Sequence, residues 1–455
     1  MTSIHAAQAL LPDGWAQDVM VQMAAGRIVA VRTGVKAAPK DAVQVDCLLP
    51  AAVNLHSHSF QRAMAGLTES RSSGQDSFWT WRSLMYRFLA TLTPDDVQAI
   101  AAMVMMEMAE AGYAAVCEFH YLHHAPLGQT YDDLAEMSGR IAAAATVSGL
   151  GLTHLPVFYE RGGCDGRPLS DGQRRFGNDL DRFHRLWDRL PQVLASLPAD
   201  TVLGLAPHSL RAVSPESLTA LVTLAGSAPL HIHVAEQVAE VAEVQAATGH
   251  RPVEWLLGQH PVAENWCLIH ATQMRPAETA ALAHSRAVAG LCPITEANLG
   301  DGIFDGAGFL AASGRFGVGS DSNLRIALGE ELRLLEYSQR LALKGRAIMA
   351  SATQSTGRLL YQGVCSGGAQ AAGRAAGAIA PGLWADLVAL DLSGPDQDGL
   401  TGDRVLDSWI FAADDRLVRN LWSAGRHIVQ DGQHVARAAI TANYAQVAAK
   451  LRAAL

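Results

Sequence analysis

Closely spaced cysteine pairs, basic runs and long apolar segments are all missing from this 455-residue chain. Its six cysteines lie far apart and form no CxxC pair, which excludes a dense disulfide scaffold and a CxxC metal site. The formal net charge is −9, so we expect neither nucleic acid nor an anionic membrane as a partner. No stretch approaches ~18 apolar residues, and the first residues lack the basic and apolar parts of a signal peptide. These absences predict a soluble protein of the cytoplasm.

Strand patterns concentrate at the two ends of the chain. Residues 27–31 alternate between apolar and other side chains with the period of a half-buried strand. Residues 385–391 also have the pattern of a strand, and a turn region with Gly377, Pro381 and Gly382 precedes them. We therefore predict a small split β-sandwich domain built from residues 1–50 and 371–455, with a helix at the C-terminal end.

The middle of the chain, residues 51–370, alternates between helical stretches and short apolar runs. Residues 93–111, 131–148 and 330–343 have helical patterns, and residues 114–118 form one of the apolar runs between such stretches. Thr93 and Pro94 suit the N-cap and the first position of a helix. With 49% hydrophobic residues the chain can fill a large core, and strand–helix alternation over this length predicts a (β/α)8 barrel, a TIM-like α/β fold.

Potential metal ligands are few, and each follows a short run that is typical of a barrel strand. In a parallel barrel the carboxyl ends of the strands meet at one face, which is where such proteins keep their chemistry. The strand-end candidates are His56 and His58, His233 with Glu236, His270, and Asp321.

Each of these elements is a weak signal alone. Two histidines separated by one residue point to the same side of a strand and suit one metal ion, yet the pattern also arises by chance. His233 with Glu236 also fits a buried histidine before a helix, while His270 and Asp321 also fit caps or polar core residues. Their joint occurrence at four strand ends predicts a hydrolytic metal centre.

The order HxH, HxxE, IH, SD on such a barrel resembles the amidohydrolase superfamily, and within it the deaminase-like branch. Binuclear members bridge two metals with a carboxylated lysine, and this chain has no lysine between positions 41 and 343. The resemblance therefore implies one divalent metal ion per chain, held by His56, His58, His233 and Asp321. Imidazole and carboxylate ligands suit Zn²⁺, which we expect, and also Fe²⁺.

Longer segments are similar to one family in that branch, the formimidoylglutamate deiminases of histidine degradation. The segments are residues 54–66, 78–82, 118–124 and 292–302. This resemblance implies metal-dependent hydrolysis of N-formimidoyl-L-glutamate to N-formyl-L-glutamate and ammonia, and a homodimer. Asp321 and His270 would accept and orient the proton of the attacking water, while Glu236 would pass a proton to the departing nitrogen.

Such a substrate carries two carboxylates, so its pocket needs fixed cations and hydrogen-bond donors. Arginine suits a carboxylate because its planar fork donates two parallel hydrogen bonds. At or beyond strand ends, the candidates for substrate binding are Gln61, Arg82, Tyr121, His208 and Arg211.

Three points stay open from the sequence. One alternative is an aminohydrolase acting on a purine-like or other heteroaromatic ring, which would share the metal centre but prefer an aromatic and amide-lined pocket. Another is a barrel that binds metal without turnover, although Glu236 and His270 would not be needed for that. The polar loop over residues 160–177 suits either a lid or a surface excursion.

Overall fold

The computed structural model describes residues 2–67, 69 and 85–453. In chain order its strands are β1 (Thr2–Leu11), β2 (Gly14–Ala24), β3 (Arg27–Arg32), β4 (Val43–Pro50), β5 (Ala52–Ser57), β6 (Tyr113–His120), β7 (Gly151–Phe158), β8 (Val202–Leu203), β9 (Ala206–Pro207), β10 (Leu230–Val234), β11 (Trp266–His270), β12 (Val288–Leu291), β13 (Arg315–Val318), β14 (Leu387–Leu390), β15 (Val418–Ser423), β16 (Arg426–Gln430) and β17 (Gln433–His434).

Strands from both ends of the chain form one eight-stranded sheet, in the order β17-β16-β15-β14-β4-β1-β2-β3. Only β1 and β4 pair in parallel within it; the other neighbours are antiparallel. The sheet has a hydrophobic core of its own, in which Ile4 and Val21 meet Leu48, Ala389 and Trp422. This arrangement confirms the predicted fold class, with a small β domain assembled from both termini. Its boundaries at 50 and 371 stay a prediction.

The strands of the middle region close into a parallel barrel. One sheet joins β5, β6 and β7 to the short strands β8 and β9, which both pair with β7, and a second joins β10 to β13 in order. Parallel bridges from Leu205 to Leu230 and from Ser57 to Asp321 connect the two sheets at both seams. When β8 and β9 are counted as one interrupted strand, eight parallel strands form the wall of the barrel, as predicted from the strand–helix alternation.

Helices cover the barrel and complete the terminal domain. They are α1 (Pro94–Glu110), α2 (Glu136–Ser148), α3 (Leu180–Leu194), α4 (Pro215–Ala225), α5 (Val238–Thr248), α6 (Pro252–Gln259), α7 (Pro276–Ser285), α8 (Pro293–Leu299), α9 (Gly306–Ala311), α10 (Leu328–Leu343), α11 (Thr356–Ala371), α12 (Asp403–Phe411) and α13 (Arg437–Ala453). In the part of the chain described, no helix combines the length and the apolar character needed to cross a membrane.

Two predicted helix starts can be compared with the structure. Thr93 caps α1 as predicted, because its side chain and that of Asp96 exchange hydrogen bonds with each other's backbone N–H. The helix predicted from residue 131 begins only at Glu136. Asp133 explains the difference: its carboxylate accepts from the Ala135 N–H at 3.0 Å, a local turn that competes with the helix.

Candidate functional site

The structure brings the candidate ligands to one point at the carboxyl ends of the barrel strands. His56 lies near the end of β5, His233 lies in β10, and Asp321 follows β13. The Nε2 atoms of His56 and His233 are 3.1 Å apart. Asp321 Oδ1 lies 3.4 Å from His56 Nε2 and 3.3 Å from His58 Nε2. All four groups are buried, so a cation here would be surrounded by protein.

Hydrogen bonds at the far side of two rings fix which nitrogen is free to bind a metal. His58 Nδ1 donates to the Phe119 carbonyl and His233 Nδ1 donates to the His208 carbonyl, each at 3.0 Å. Each neutral ring therefore carries its lone pair on Nε2, which faces Asp321 in His58 and the Nε2 of His56 in His233. Lone pairs that face each other this closely repel unless a cation lies between them. The arrangement thus fits a divalent metal ion held by imidazole and carboxylate.

The pKa values agree with neutral imidazoles and an ionised carboxylate. Burial lowers the pKa of His56 to about 3 and holds the pKa of His233 well below its ordinary value. Burial alone would raise the pKa of Asp321, but its contact with His56 and the positive charge of His270 pull it below its usual range. A metal requires its ligands in these forms, so little proton release has to accompany binding.

His270 and Glu236 lie beside this group rather than inside it. His270 Nε2 is 3.8 Å from Glu236 Oε1 and 3.9 Å from Asp321 Oδ2. Burial would lower the pKa of His270, but the charge of Glu236 and the hydrogen bond with Glu296 raise it to about 10. Burial raises the pKa of Glu236 to about 7. A carboxyl group with that pKa can hold a proton and release it near neutral pH.

A buried polar network fixes the loop that carries Asp321 onto β5. Asn54 donates from Nδ2 to Ser320 Oγ at 2.7 Å, and its Oδ1 accepts from the Ser320 N–H at 3.1 Å. Asn323 then donates to Ser57 Oγ at 3.2 Å. Asp321 and Asn323 have left-handed backbones, with φ of 45° and 55°. These contacts hold the strained turn in place, so the carboxylate stays aimed at the histidines.

A pocket opens in front of the candidate ligands, and most of the predicted substrate-binding residues line it. Gln61, Tyr121, His208 and Arg211 all face this pocket. Gln61 Nε2 donates to the Tyr121 hydroxyl at 2.8 Å, which fixes the two side chains together. Arg82 lies outside the residues that the structure describes. The loop over 160–177 contributes Phe176 to the pocket wall, so its end lies at the site.

Arg211 is the arginine that lines this pocket among the described residues. It is only 7% exposed. Burial would lower its pKa, but the charge of Glu240 and the proximity of Tyr159 and Glu236 raise it above the ordinary value. The guanidinium therefore stays charged next to the pocket, where an anionic group of a ligand could reach it.

Two carboxylates that fix the geometry of the site were not identified as functional residues from the sequence. Glu240 accepts from the backbone N–H groups of Ala235 and Glu236 at 3.1 and 3.0 Å, which fixes the turn that presents Glu236. Glu296 lies 3.2 Å from His270 Nδ1. In the sequence, Glu240 has only the features of an acidic residue in the first turn of a helix. The spacing of residues does not predict a contact between Glu296 and His270. In contrast, His231 is fully buried and donates to the Ala371 carbonyl.

Comparison with known proteins places the chain in a family. A model of the amidohydrolase family matches residues 47–428, and a model of the N-terminal domain of formimidoylglutamate deiminase HutF matches residues 1–44. Formimidoylglutamate deiminase of Pseudomonas aeruginosa is 47% identical over 455 residues, which cover 99% of this chain and 100% of that protein.

Solved structures agree with this assignment. An amidohydrolase from Brucella melitensis superposes with a TM-score of 0.95 at 48% identity, covering 99% of this chain and 100% of the other. A zinc-bound adenosine deaminase from Xanthomonas campestris has a TM-score of 0.83 at 22% identity, over 99% and 98% of the two chains, and shares the fold. The chain belongs to the amidohydrolase family, and within that family to the formimidoylglutamate deiminases.

Proposed function

We propose that this protein hydrolyses N-formimidoyl-L-glutamate to N-formyl-L-glutamate and ammonia, a step of histidine degradation. The observation that carries the proposal is the combination, in one pocket, of a converging His/Asp group with a buried, charged Arg211. The first part suits hydrolysis at a carbon–nitrogen bond, and the second suits a substrate that bears carboxylates. Kinship with the Pseudomonas aeruginosa enzyme over the full chain supports the same substrate.

One divalent metal ion per chain, Zn²⁺ in our proposal, would be held by His56, His58, His233 and Asp321. Neutral imidazoles with Nε2 lone pairs and an ionised carboxylate match the ligands that Zn²⁺ prefers. When bound, such an ion lowers the pKa of water and polarises it for attack at neutral pH. Zinc in the related Xanthomonas campestris structure supports this choice over iron.

The side chains beside the metal group then move the protons. Asp321 and His270 orient the attacking water, whose oxygen forms a bond to the formimidoyl carbon. A divalent cation held at Asp321 would oppose the negative charges that raise the pKa of His270, so that the ring can be neutral and accept the water proton. Glu236, whose pKa is raised to about 7, delivers a proton to the terminal nitrogen of the substrate. The new hydroxyl group gives up its proton as the carbonyl forms, and the nitrogen takes up this second proton. The bond between that nitrogen and the carbon then breaks, and the nitrogen leaves as ammonia. Without this protonation the nitrogen would have to leave as an amide ion, which is a very poor leaving group.

Substrate recognition would rest on the pocket wall. Arg211 is suited to one carboxylate of a small dicarboxylate substrate, since its guanidinium can donate two parallel hydrogen bonds. Tyr121, which accepts from Gln61, and His208 are proposed to donate to the remaining polar groups, since both line the pocket. Arg82 is proposed for the second carboxylate on the strength of the sequence alone. We further propose that the protein acts in the cytoplasm as a homodimer; light scattering after gel filtration tests the second point.

The experiment that tests the function measures ammonia release by purified protein of known metal content. N-formimidoyl-L-glutamate is compared with guanine and adenosine under the same conditions. We expect release from the formimidoyl compound alone, with about one metal ion per chain. Release from a purine instead would transfer the assignment to a ring aminohydrolase and would remove Arg211 from carboxylate binding. No release from any of the three by metal-loaded protein would favour a barrel without turnover.

A further inference from the structure

His270 has an unusual backbone for a residue on which catalysis is proposed to depend. It ends β11 with φ of 69°, and Ala271 follows with φ of 49°. Two consecutive residues other than glycine in the left-handed region cost free energy, so surrounding contacts must hold them there. The ring is buried, with its Nε2 on the side of Glu236 and Asp321. The contact on the opposite side of the ring therefore decides its orientation.

That contact is Glu296, on the first turn of α8. Its Oε1 lies 3.2 Å from His270 Nδ1 and accepts from the Cys292 N–H at 2.9 Å. Cys292 immediately follows β12, the barrel strand that pairs with β11. The carboxylate is thus fixed to the backbone of the neighbouring strand end and is 7% exposed. It can move little relative to His270.

The chemistry of the two groups determines where the proton of the ring lies. An ionised carboxylate has only acceptor sites, so the nitrogen facing it must be the donor. With Nδ1–H directed at Glu296, the remaining nitrogen, Nε2, is the one presented to the pocket. If Nε2 carried the proton of the neutral ring instead, His270 could not accept another proton on the substrate side.

We propose that Glu296 is the positioning residue of His270, holding its ring with Nδ1 protonated and Nε2 directed at the reacting groups. This proposal rests on the proposed function only in giving His270 a part in proton transfer. Glu296 itself does not line the pocket that contains Arg211 and Tyr121. Its loss should therefore slow the chemical step without weakening substrate binding.

Two variants and a control separate positioning from other roles. Glu296→Leu removes the acceptor, whereas Glu296→Gln keeps an oxygen that can accept from both Nδ1 and the Cys292 N–H. The control is Glu336→Gln, another buried carboxylate that accepts backbone N–H groups, from Ile348 and Met349, on α10. It matches Glu296→Gln in burial and in the charge removed.

We expect Glu296→Leu to lower kcat about 10- to 100-fold with KM and metal content unchanged, as for loss of other groups that orient catalytic side chains. Glu296→Gln should recover most of that loss, and Glu336→Gln should keep the kcat of the wild type. Full kcat in Glu296→Leu would overturn the proposal. So would a raised KM at normal kcat, which indicates substrate contact, or a loss of activity that follows a loss of metal.

A second measurement does not depend on the substrate. In zinc-loaded protein with ¹⁵N-labelled histidine, the His270 signals are assigned by their disappearance in His270→Gln. We expect a protonated Nδ1 in the wild type and in Glu296→Gln, and a mixture of tautomers in Glu296→Leu. An Nε2-protonated neutral ring in the wild type would refute the positioning role, even if ammonia release confirms the proposed function. If ammonia release fails while Nδ1 is protonated, only the proposed function falls.

Discussion

A buried group of charges joins the barrel to the terminal sheet, and its removal should be costly. Asp200, just before β8, accepts from Arg374 at 2.7 Å and from both terminal nitrogens of Arg426 at 2.7 and 2.8 Å. Arg374 also donates to both oxygens of Asp386, which precedes β14. The side chains of Asp200, Arg374 and Asp386 are at most 2% exposed. We expect Asp200→Ala to disrupt this group.

The structure gives the size of the effect in two ways. Burial would raise the pKa of Asp200, but the hydrogen bond from Arg426 and the charges of both arginines lower it from 3.8 to about 2. A shift of this size corresponds to roughly 2 kcal/mol of interaction with the ionised form. Removing the carboxylate also leaves Arg374 charged and buried with one partner fewer, and breaking a buried pair in this way costs about 3–5 kcal/mol. We therefore expect a loss of about 3–5 kcal/mol.

Unfolding in urea, followed by tryptophan fluorescence, measures this loss. Asp171→Ala is the matched control, because Asp171 pairs with Arg174 at 3.0 Å but the two side chains are 80% and 52% exposed. The control should stay within about 1 kcal/mol of the wild type. In the wild type, the contribution of Asp200 is present above pH 3.8 and is lost as the pH falls towards 2, since the unfolded chain takes up the proton first. Equal midpoints for Asp200→Ala and Asp171→Ala would refute the reasoning.

Three further predictions concern the site and the acid stability. Glu236→Gln should keep the metal, measured by atomic absorption, but lower kcat by about 10²- to 10⁴-fold, because the proton donor is lost; normal turnover would contradict this role. Arg211→Ala should lower kcat/KM for the dicarboxylate about 10- to 100-fold and barely affect a neutral amidine, since only the former loses a charge-assisted hydrogen bond; equal losses would argue against carboxylate binding. His154, in β7, is buried with its Nε2 3.0 Å from Ser138 Oγ, and burial lowers its pKa to about 3 from 6.5. Below pH 6.5 the His154 ring therefore binds a proton in the unfolded chain but not in the folded protein, and stability is lost as the pH falls. Between about pH 7.5 and pH 5.5, His154 should account for about 1.4 kcal/mol of the decrease in the free energy of unfolding. Urea unfolding of His154→Gln should therefore show a decrease that is smaller by this amount. An equal decrease in the variant and the wild type would show that His154 is protonated in the folded protein.

The sequence predicts the barrel and the position of the ligand candidates because both follow from local order. A polar residue at the end of a buried parallel strand has to face the carboxyl end of the barrel, so His56, His233 and Asp321 can be placed together from the order of residues alone. The order of the terminal sheet is different. The pairing of β4 with β14 joins residues that lie more than three hundred positions apart, such as Leu49 and Val388, and strand patterns carry no information on partners.

The roles of Glu240 and Glu296 could not be predicted for a related reason. Each carboxylate accepts a hydrogen bond from a backbone N–H at the end of the strand that precedes its helix. Such a contact depends on the side-chain rotamer rather than on the spacing of residues. Arg211 shows the intermediate case. Its position after a strand end predicts a place at the barrel mouth, but its burial beside Glu240 and Tyr159, which keeps it charged, is visible only in the structure.

The strongest physical argument for the proposed chemistry is that burial shifts the pKa values of neighbouring groups in opposite directions. Burial lowers the pKa of His56 to about 3, which keeps its ring neutral and available to a metal, and raises the pKa of Glu236 to about 7. His270 is equally buried but faces Glu236, Glu296 and Asp321, and its pKa rises to about 10. Separate pKa values within one pocket are what acid–base catalysis requires, because a site whose groups all titrated together could not bind a cation, accept a proton from water and donate one to nitrogen at the same pH. The orientation of the His270 ring depends on its contact with Glu296, so exchanging Glu296 for leucine should affect the role of His270 while leaving that of His56 intact.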